Sequence, residues 1–171
     1  MKVKFRPIEE GDLPFLRNLY ALAKEEEMPV LSTLPEAQKE AFLDHQFEAQ
    51  YGHYTNSFPN AQFDLILDRD GTPIGRYYVD RRPNQIRILD ITLVPARRGT
   101  GIGTKLLQGL LEEGKEKELP VRIVLQETES SHSLFKRLGF KQIEKEGPND
   151  LLEWRASADE SSEMTADGVD F

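Results

Sequence analysis

The apolar residues of this chain follow two periods, which divide it into helices and strands. A repeat of three to four residues is typical of a helix with one buried face. It predicts four helices, which begin at Asp12, at Glu36, near Gly101–Thr104 and at Ser130 or Ser131. Alternation or a short apolar run predicts seven strands, at Lys2–Pro7, Gln62–Leu67, Ile74–Asp80, Gln85–Val94, Val121–Gln126, Phe140–Glu146 and Asp150–Arg155.

The elements follow one another in the order β-α-α-β-β-β-α-β-α-β-β. This order predicts an α+β fold, with a mixed sheet covered by helices on both faces. The run Val121–Gln126 is so rich in Val, Ile and Leu that we expect that strand to be buried on both faces.

The composition changes near the C-terminus. Residues 156–171 carry five acidic side chains, no Lys or Arg and no apolar period, so we expect a disordered acidic tail. The preceding residues, 1–155, are enough for a single domain with a substantial core.

Net charge and cysteine content argue against several classes of function. The formal net charge is -8, and five of the excess negative charges lie in the tail, so the body is near -3. This balance predicts no affinity for nucleic acid or an anionic membrane. The sequence has no Cys, which excludes disulfides, thiolate catalysis and Cys-ligated zinc. We expect a cytoplasmic protein, without a metal site or a signal peptide.

The most informative segment runs from Leu89 to Thr104, where a strand ends, a glycine-rich loop follows and a helix begins. The start of a helix leaves backbone N–H groups unpaired and carries partial positive charge. Glycines allow a phosphate to approach that backbone closely, and Arg97 and Arg98 add full positive charges. These features together predict a diphosphate site.

The loop is open to several interpretations. A nucleotide-binding Walker loop requires a Lys after its last glycine, and Thr104 follows Gly103 here. A dinucleotide-binding loop requires a third glycine where Thr104 stands, although Glu127 could imitate its ribose-binding acid. The glycines could also form only a tight turn between strand and helix, with both arginines in solvent.

A further interpretation accounts for more of the chain. The pattern Arg98-x-x-Gly101-x-Gly103 resembles motif A of the GNAT superfamily of N-acetyltransferases. The later segment Leu134–Phe140 is similar to motif B of that family, and the element order matches from Met1 to about Arg155. The resemblance implies a GNAT-like fold with a mostly antiparallel central sheet, and acetyl-CoA (coenzyme A) as the cofactor.

The resemblance also assigns cofactor-binding residues. Main-chain amides of the loop would hold the diphosphate, through Arg98, Gly99, Thr100, Gly101, Ile102, Gly103 and Thr104. The pantetheine arm would contact Leu93 and Val94, and the Leu93 N–H would donate to the thioester oxygen as negative charge develops there. Phe135 would lie beside the cofactor.

In this family the acyl group passes directly to an amine, which implies an N-acetyltransferase. Asp90 is the candidate base or holder of a water, with solvent exposure or an Arg partner on the neighbouring strand as the alternative. Many relatives carry a Tyr where Phe135 stands, and Phe135 cannot protonate the departing thiolate. Thr128 or a neighbour replaces an Asn often found in the family, so the general acid is open.

The acceptor is expected along the second helix and the middle strands. Gln46, Gln50 and Tyr54 are spaced by four residues and share a helix face, while Tyr77 and its neighbour Tyr78 point to opposite faces of a strand. The expected partner is a small-molecule or peptide amine, and many relatives are homodimers. A module that senses acyl-CoA without turnover is the alternative function.

Overall fold

The computed structural model of the protein describes residues 2–127 and 131–157. Within these ranges the helices and strands follow the predicted order. The strands are β1 (Lys4–Pro7), β2 (Gln62–Leu67), β3 (Pro73–Arg82), β4 (Gln85–Leu93), β5 (Val121–Gln126), β6 (Lys141–Glu146) and β7 (Asn149–Trp154). The α-helices are α1 (Leu13–Glu27), α2 (Glu36–Ser57), α3 (Ile102–Lys117) and α4 (His132–Arg137).

The seven strands hydrogen-bond in the order β1-β2-β3-β4-β5-β7-β6. The pairings of β1 with β2, β2 with β3, β5 with β7 and β6 with β7 are all antiparallel. This mixed arrangement of helices and a seven-stranded sheet confirms the predicted fold class.

The chain forms two compact units. The first contains the residues up to Arg81 together with Arg87–Leu106, and the second contains Arg82–Ile86 and the chain from Leu107 onward. Of the predicted acidic tail, Ala156 and Ser157 lack regular secondary structure, and the other residues lie outside the described ranges. The single domain over residues 1–155 stays a prediction.

The core of the first unit lies where α1 and α2 pack on β2. The periodic apolar positions predicted for the two helices supply it, because they fall on one face of each helix. Leu16 and Tyr20 of α1 are buried together with Leu43 and Phe47 of α2, against Leu65 of β2. This packing fixes α2 over the strands that carry the polar side chains described below.

A glycine in β3 allows β4 to approach closely just before the loop. A Cβ atom at Gly75 would lie 2.4 Å from the backbone oxygen of Thr92 and 3.0 Å from a Leu93 methyl group. The Val94 N–H donates to the Ile74 carbonyl at 2.9 Å, which joins the end of β4 to β3. Any larger residue at position 75 would therefore push away the strand end from which the loop departs.

In the second unit, β5 differs from the sequence prediction. Val121, Ile123 and Leu125 are buried, but the alternate residue Val124 is 39% exposed. The strand therefore buries one face only, so the prediction of burial on both faces was wrong. A run of β-branched residues reports strand propensity, which a strand with one solvent face also satisfies.

Candidate functional site

The glycine-rich loop leaves β4 and enters α3 through two left-handed residues. A short 3-10 helix covers Pro95–Arg97, and Gly99 and Gly101 then adopt φ angles of +75° and +88°. These values favour glycine, because a Cβ atom clashes with the backbone there. α3 begins directly after Gly101, whose carbonyl accepts a hydrogen bond from the Lys105 N–H.

The space around the loop is open on the side of its glycines. Apart from the glycine itself and its two chain neighbours, no atom lies within 4 Å of the position that a Cβ would occupy at Gly99 or Gly101. The first turn of α3 contains no acidic side chain, so nothing there offsets the positive end of the helix. The loop and helix start therefore have the geometry and charge to hold a phosphate group through backbone N–H groups.

The two arginines of the loop are paired with carboxylates of the protein itself. Arg97 donates to Asp68 at 2.9 Å, and Arg98 donates to Glu26. Arg98 Nε also donates to the Leu93 carbonyl at 3.2 Å. Asp68 and Glu26 therefore offset part of the positive charge of the two arginines, and the backbone N–H groups at the helix start add to the attraction for an anion.

Several backbone groups at the end of β4, just before the loop, already form hydrogen bonds within the protein. Leu93 is 9% exposed, and its carbonyl accepts the bond from Arg98. The Val94 N–H is used by the Ile74 carbonyl, and the Val94 carbonyl accepts from the Arg97 N–H. A ligand would therefore meet Val94 through its side chain rather than through its amide.

A polar cluster surrounds Asp90, three residues before the end of β4. Its carboxylate accepts hydrogen bonds from the Arg76 guanidinium of β3 and from the Thr92 hydroxyl, the latter at 2.5 Å. The Asp90 side chain is 15% exposed and that of Arg76 is 5% exposed. The sequence left open whether Asp90 is exposed to solvent or pairs with an Arg on the neighbouring strand, and the structure shows the pairing with Arg76. This pairing does not test the proposed role of Asp90 as a base.

Helix α2 contributes Gln50 and Tyr54 to the cluster, two of the residues predicted to bind the acceptor substrate. Arg76 donates to the Gln50 side-chain oxygen at 3.1 Å, and the Tyr54 hydroxyl donates to the Leu89 carbonyl at 3.1 Å. The Tyr54 ring meets the Tyr78 ring edge-on, with 5.7 Å between centroids. Gln50, Tyr54 and Asp90 are thus brought together, on the side of the sheet that α2 covers.

Two other predicted acceptor residues lie outside the cluster. The Tyr77 ring is buried beside Phe5, 4.5 Å between centroids, on the face of β3 opposite Tyr78. Gln46 is half-buried, and its side chain makes no hydrogen bond to residues 2–127 or 131–157. Of the two adjacent tyrosines of β3, Tyr78 therefore lies in the cluster and Tyr77 does not.

Tyr78 was considered together with Tyr77 from the sequence, whereas Arg76 was not singled out. An Arg inside an apolar strand is a signal of a buried, paired charge, because unpaired arginines are almost never fully buried. Residues at i and i+2 of a strand share a face, which places Tyr78 beside Arg76. Position alone could therefore have associated both residues with Asp90.

The environment of the cluster shifts the pKa values of Arg76 and Tyr78. Burial raises the pKa of the Tyr78 hydroxyl to about 12. Burial also lowers the pKa of the Arg76 guanidinium, but the Asp90 charge raises it, and the net pKa lies above its ordinary value. Arg76 therefore stays charged beside Asp90, and Tyr78 stays neutral.

Two buried polar atoms of the cluster have no hydrogen-bond partner in the part of the chain that the structure describes. They are Arg76 Nε and the Tyr78 hydroxyl oxygen. A buried polar group without a partner is costly, and water or a bound ligand commonly satisfies it. The cluster thus has unused hydrogen-bonding capacity next to the Asp90 carboxylate.

The second unit holds the remaining predicted cofactor residue. Phe135 of α4 is 6% exposed and meets Phe140 edge-on, with 5.1 Å between ring centroids. The Phe140 N–H donates to the Phe135 carbonyl at 3.0 Å, which closes the end of this short helix. The contact of Phe135 with a cofactor stays a prediction, and Thr128 lies outside the described residues.

The described part of the chain contains neither a cluster of three metal-ligating side chains nor a helix that could cross a membrane. Residues 2–127 and 131–157 contain no group of three or more His, Asp or Glu side chains that could hold a metal ion. Over the same described ranges, the helices are too short or too polar to cross a membrane.

Structural comparison identifies similar folds at low sequence identity. The chain is similar to PaiA N-acetyltransferase from Thermoplasma acidophilum in complex with coenzyme A, with a TM-score of 0.64, 18% identity and coverage of 91% of this chain and 100% of that one. An acetyltransferase from Thermus thermophilus gives 0.64 and 13%, with coverage of 91% and 98%. A GNAT family acetyltransferase from Elizabethkingia anophelis with acetyl-CoA bound gives 0.53 and 16%, with coverage of 90% and 98%.

Comparison of the sequence itself gives the family. No curated protein matches the chain significantly. The family model for the acetyltransferase (GNAT) family matches residues 17–140, which include α2, the polar cluster, the glycine-rich loop and α4. That match covers well over half of the chain, and the fold agrees with it. The chain therefore belongs to the acetyltransferase (GNAT) family.

Proposed function

We propose that the protein is an N-acetyltransferase, which moves an acetyl group from acetyl-CoA to a primary amine. The observation that carries the proposal is the open loop Arg98–Gly101 at the start of α3, with its two left-handed glycines. Family membership and solved structures whose descriptions name bound coenzyme A or acetyl-CoA support it. Acetyl is the acyl group named in these relatives, and the choice of acetyl here is part of the proposal.

In this proposal the loop holds the cofactor diphosphate through the backbone N–H groups of Gly99–Thr104, since the Arg98 N–H already donates to the Pro95 carbonyl at 3.2 Å. When bound, the cofactor supplies an acyl group activated as a thioester. The Leu93 N–H is proposed to donate to the acyl oxygen as negative charge develops there. Since the contacts are made by the main chain, substitution of most loop side chains by Ala would change binding little.

The amine is proposed to arrive at the polar cluster of Gln50, Tyr54, Arg76, Tyr78 and Asp90. A free alkylamine has a pKa of about 10.4, so it must lose a proton before attack. The Asp90 carboxylate already accepts bonds from Arg76 and Thr92. A carboxylate offers about four acceptor positions, so Asp90 can take a further bond from the ammonium group or from a water. We assign this proton-accepting role to Asp90.

Proton delivery to the departing thiolate has no assigned residue. Phe135 stands where the resemblance leads one to expect a Tyr, and its ring packs on Phe140. A simple thiol has a pKa of about 8.5, so departure as a thiolate costs little near neutral pH. The proposal therefore does not require a general acid.

The first test is binding. Melting temperatures are compared for the protein with coenzyme A, acetyl-CoA, NAD or buffer alone. A ligand at a hundred times its dissociation constant adds about 2.7 kcal/mol to the free energy of unfolding. We expect coenzyme A and acetyl-CoA to raise the melting temperature and NAD to leave it unchanged. Stabilisation by NAD alone would replace this proposal with a dinucleotide site.

The second test is turnover, measured as release of free thiol from acetyl-CoA with a panel of amino acids, polyamines and peptides. Asp90→Asn is expected to lose turnover and to keep its affinity for coenzyme A, because Asp90 acts on the acceptor. Loss of affinity in Asp90→Asn would instead point to a structural role of the Arg76–Asp90 pair.

An acyl-CoA sensor without turnover is the second candidate. Two observations favour it: Phe135 cannot donate a proton, and Asp90 is engaged by Arg76. A protein that binds acetyl-CoA tightly and releases no thiol with any amine of the panel would support the sensor.

A further inference from the structure

The Arg98 side chain, at the start of the glycine-rich loop, forms an ion pair with the Glu26 carboxylate. Its guanidinium donates both to the Glu26 carboxylate at the end of α1 and to the Leu93 carbonyl at the end of β4. The Arg98 side chain is 35% exposed and that of Glu26 is 57% exposed. The contact is therefore at the surface, at the residue where the proposed diphosphate loop begins.

Glu26 is the middle residue of an acidic run, and its two neighbours are paired elsewhere. Glu25 lies 3.3 Å from the Lys39 ammonium, and Glu27 accepts a hydrogen bond from Lys24 at 3.2 Å. Of these three adjacent carboxylates, Glu26 alone is paired with a residue of the loop. The run also sits at the C-terminal end of α1, which carries partial negative charge.

We propose that Glu26 competes with the cofactor diphosphate for Arg98, so that Glu26 sets the affinity for coenzyme A. This inference rests on the proposed function. In the free protein, Glu26 neutralises Arg98. When a diphosphate occupies the loop, its negative charges repel the Glu26 carboxylate and attract the Arg98 guanidinium. The Glu26–Arg98 contact is thereby weakened or exchanged for one with the diphosphate.

The exchange is physically accessible because the pair is exposed. Ion pairs at the surface contribute little to stability, since water solvates both groups well when they separate. A diphosphate can offer Arg98 two or more oxygens, in the bidentate geometry that a guanidinium prefers. Glu26 therefore lowers cofactor affinity without being needed for folding.

The test is calorimetric titration of coenzyme A into four proteins: the unaltered chain, Glu26→Gln, Glu25→Gln and Glu27→Gln. All three variants lose one negative charge and one ion pair from the same helix end, but only Glu26→Gln removes the contact with Arg98. We expect Glu26→Gln to bind coenzyme A about threefold to tenfold more tightly at low salt, with a smaller gain at high salt. The two controls are expected to stay within about twofold of the unaltered chain.

A second titration uses S-acetylpantetheine, which carries the acyl arm of the cofactor but lacks the diphosphate. Glu26→Gln is expected to bind it no more tightly than the unaltered chain does. A gain with this fragment as large as that with coenzyme A would overturn the assignment of Glu26 to the diphosphate.

Three further results would decide the matter. Unchanged or weaker coenzyme A binding by Glu26→Gln, in a variant with an unchanged melting temperature, would overturn the proposal and leave the N-acetyltransferase function standing. An equal gain in all three variants would overturn it in favour of a general charge effect. Absence of coenzyme A binding in all four proteins would overturn both this proposal and the proposed function.

Discussion

The glycine-rich loop and the polar cluster around Asp90 are both next to the end of β4, but the loop is formed by the main chain and the cluster by side chains. The loop relies on the main chain: two left-handed glycines, open space and the start of α3. The cluster relies on side chains that meet from α2, β3 and β4, where Arg76 is buried, Asp90 is largely buried, and Gln50 and Tyr54 are half-buried. Changes in the loop should therefore alter ligand affinity with little loss of stability, whereas changes in the cluster should alter stability first.

The largest effect is expected from Arg76→Met, which leaves the Asp90 carboxylate buried without its partner. Removal of one member of a buried ion pair typically lowers the free energy of unfolding by about 3–5 kcal/mol. Denaturant unfolding would measure the loss. Lys117→Met is the control, because it breaks the surface Lys117–Glu113 pair and should cost about 0.3–0.5 kcal/mol. Equal losses in both variants would show that burial of the Arg76–Asp90 pair has no energetic consequence.

A smaller effect, on affinity, is expected from Gly101→Val. The φ angle of +88° disfavours any Cβ, and a left-handed residue other than Gly costs roughly 1–2 kcal/mol. The loop should relax, and coenzyme A binding should weaken by about tenfold or more. Gly109→Ala on the exposed face of α3 is the matched control, since no atom lies within 4 Å of its Cβ position. That control should leave affinity unchanged, and an equal loss there would contradict the role of the loop.

Tyr54→Phe tests the edge of the cluster. It removes the hydrogen bond from the Tyr54 hydroxyl to the Leu89 carbonyl, which is 3.1 Å long. The free energy of unfolding should fall by about 0.5–1.5 kcal/mol, and coenzyme A affinity should not change. Thermal unfolding and calorimetry would give the two values. A large loss of coenzyme A affinity would show that the cluster and the loop are not separate in function.

The smallest effect concerns Asp68, which pairs with Arg97 of the loop. Hydrogen bonds from the Thr72 and Asp70 N–H groups, and from Arg97, lower the pKa of Asp68. The stability that this provides is fully present above the unfolded pKa of about 3.9 and is lost as the pH falls through the folded pKa. Asp68→Asn should therefore melt below the unaltered chain near neutral pH, with a difference that shrinks in acid. Asp70→Asn, whose side chain forms no ion pair among the described residues, is the control and should melt with the unaltered chain near neutral pH.

Much of the fold could be predicted from the sequence, because periodicity reports which faces are buried. The order of the helices and strands was predicted, and several boundaries, such as Gln62–Leu67, agree with the structure. The error at Val124 has a simple origin: an apolar run is compatible with one buried face or with two. Length and composition cannot distinguish these cases without knowledge of what covers the sheet.

The loop was easier to predict than the cluster because its chemistry is local. Glycine positions fix the backbone geometry, and the following helix supplies the charge. Asp90, in contrast, is defined by Arg76, which lies on another strand and depends on strand register. The same limit applies to Arg97 and Arg98, whose partners Asp68 and Glu26 are distant in the sequence.

The most direct test of the account is amide hydrogen exchange with and without coenzyme A. If the loop holds the diphosphate through its backbone, coenzyme A should slow exchange in peptides that cover residues 98–104. Peptides that cover the N-terminal strand β1 should be unaffected. Unchanged exchange over 98–104 at a coenzyme A concentration that saturates the protein would contradict the account, because the bound cofactor would then lie elsewhere.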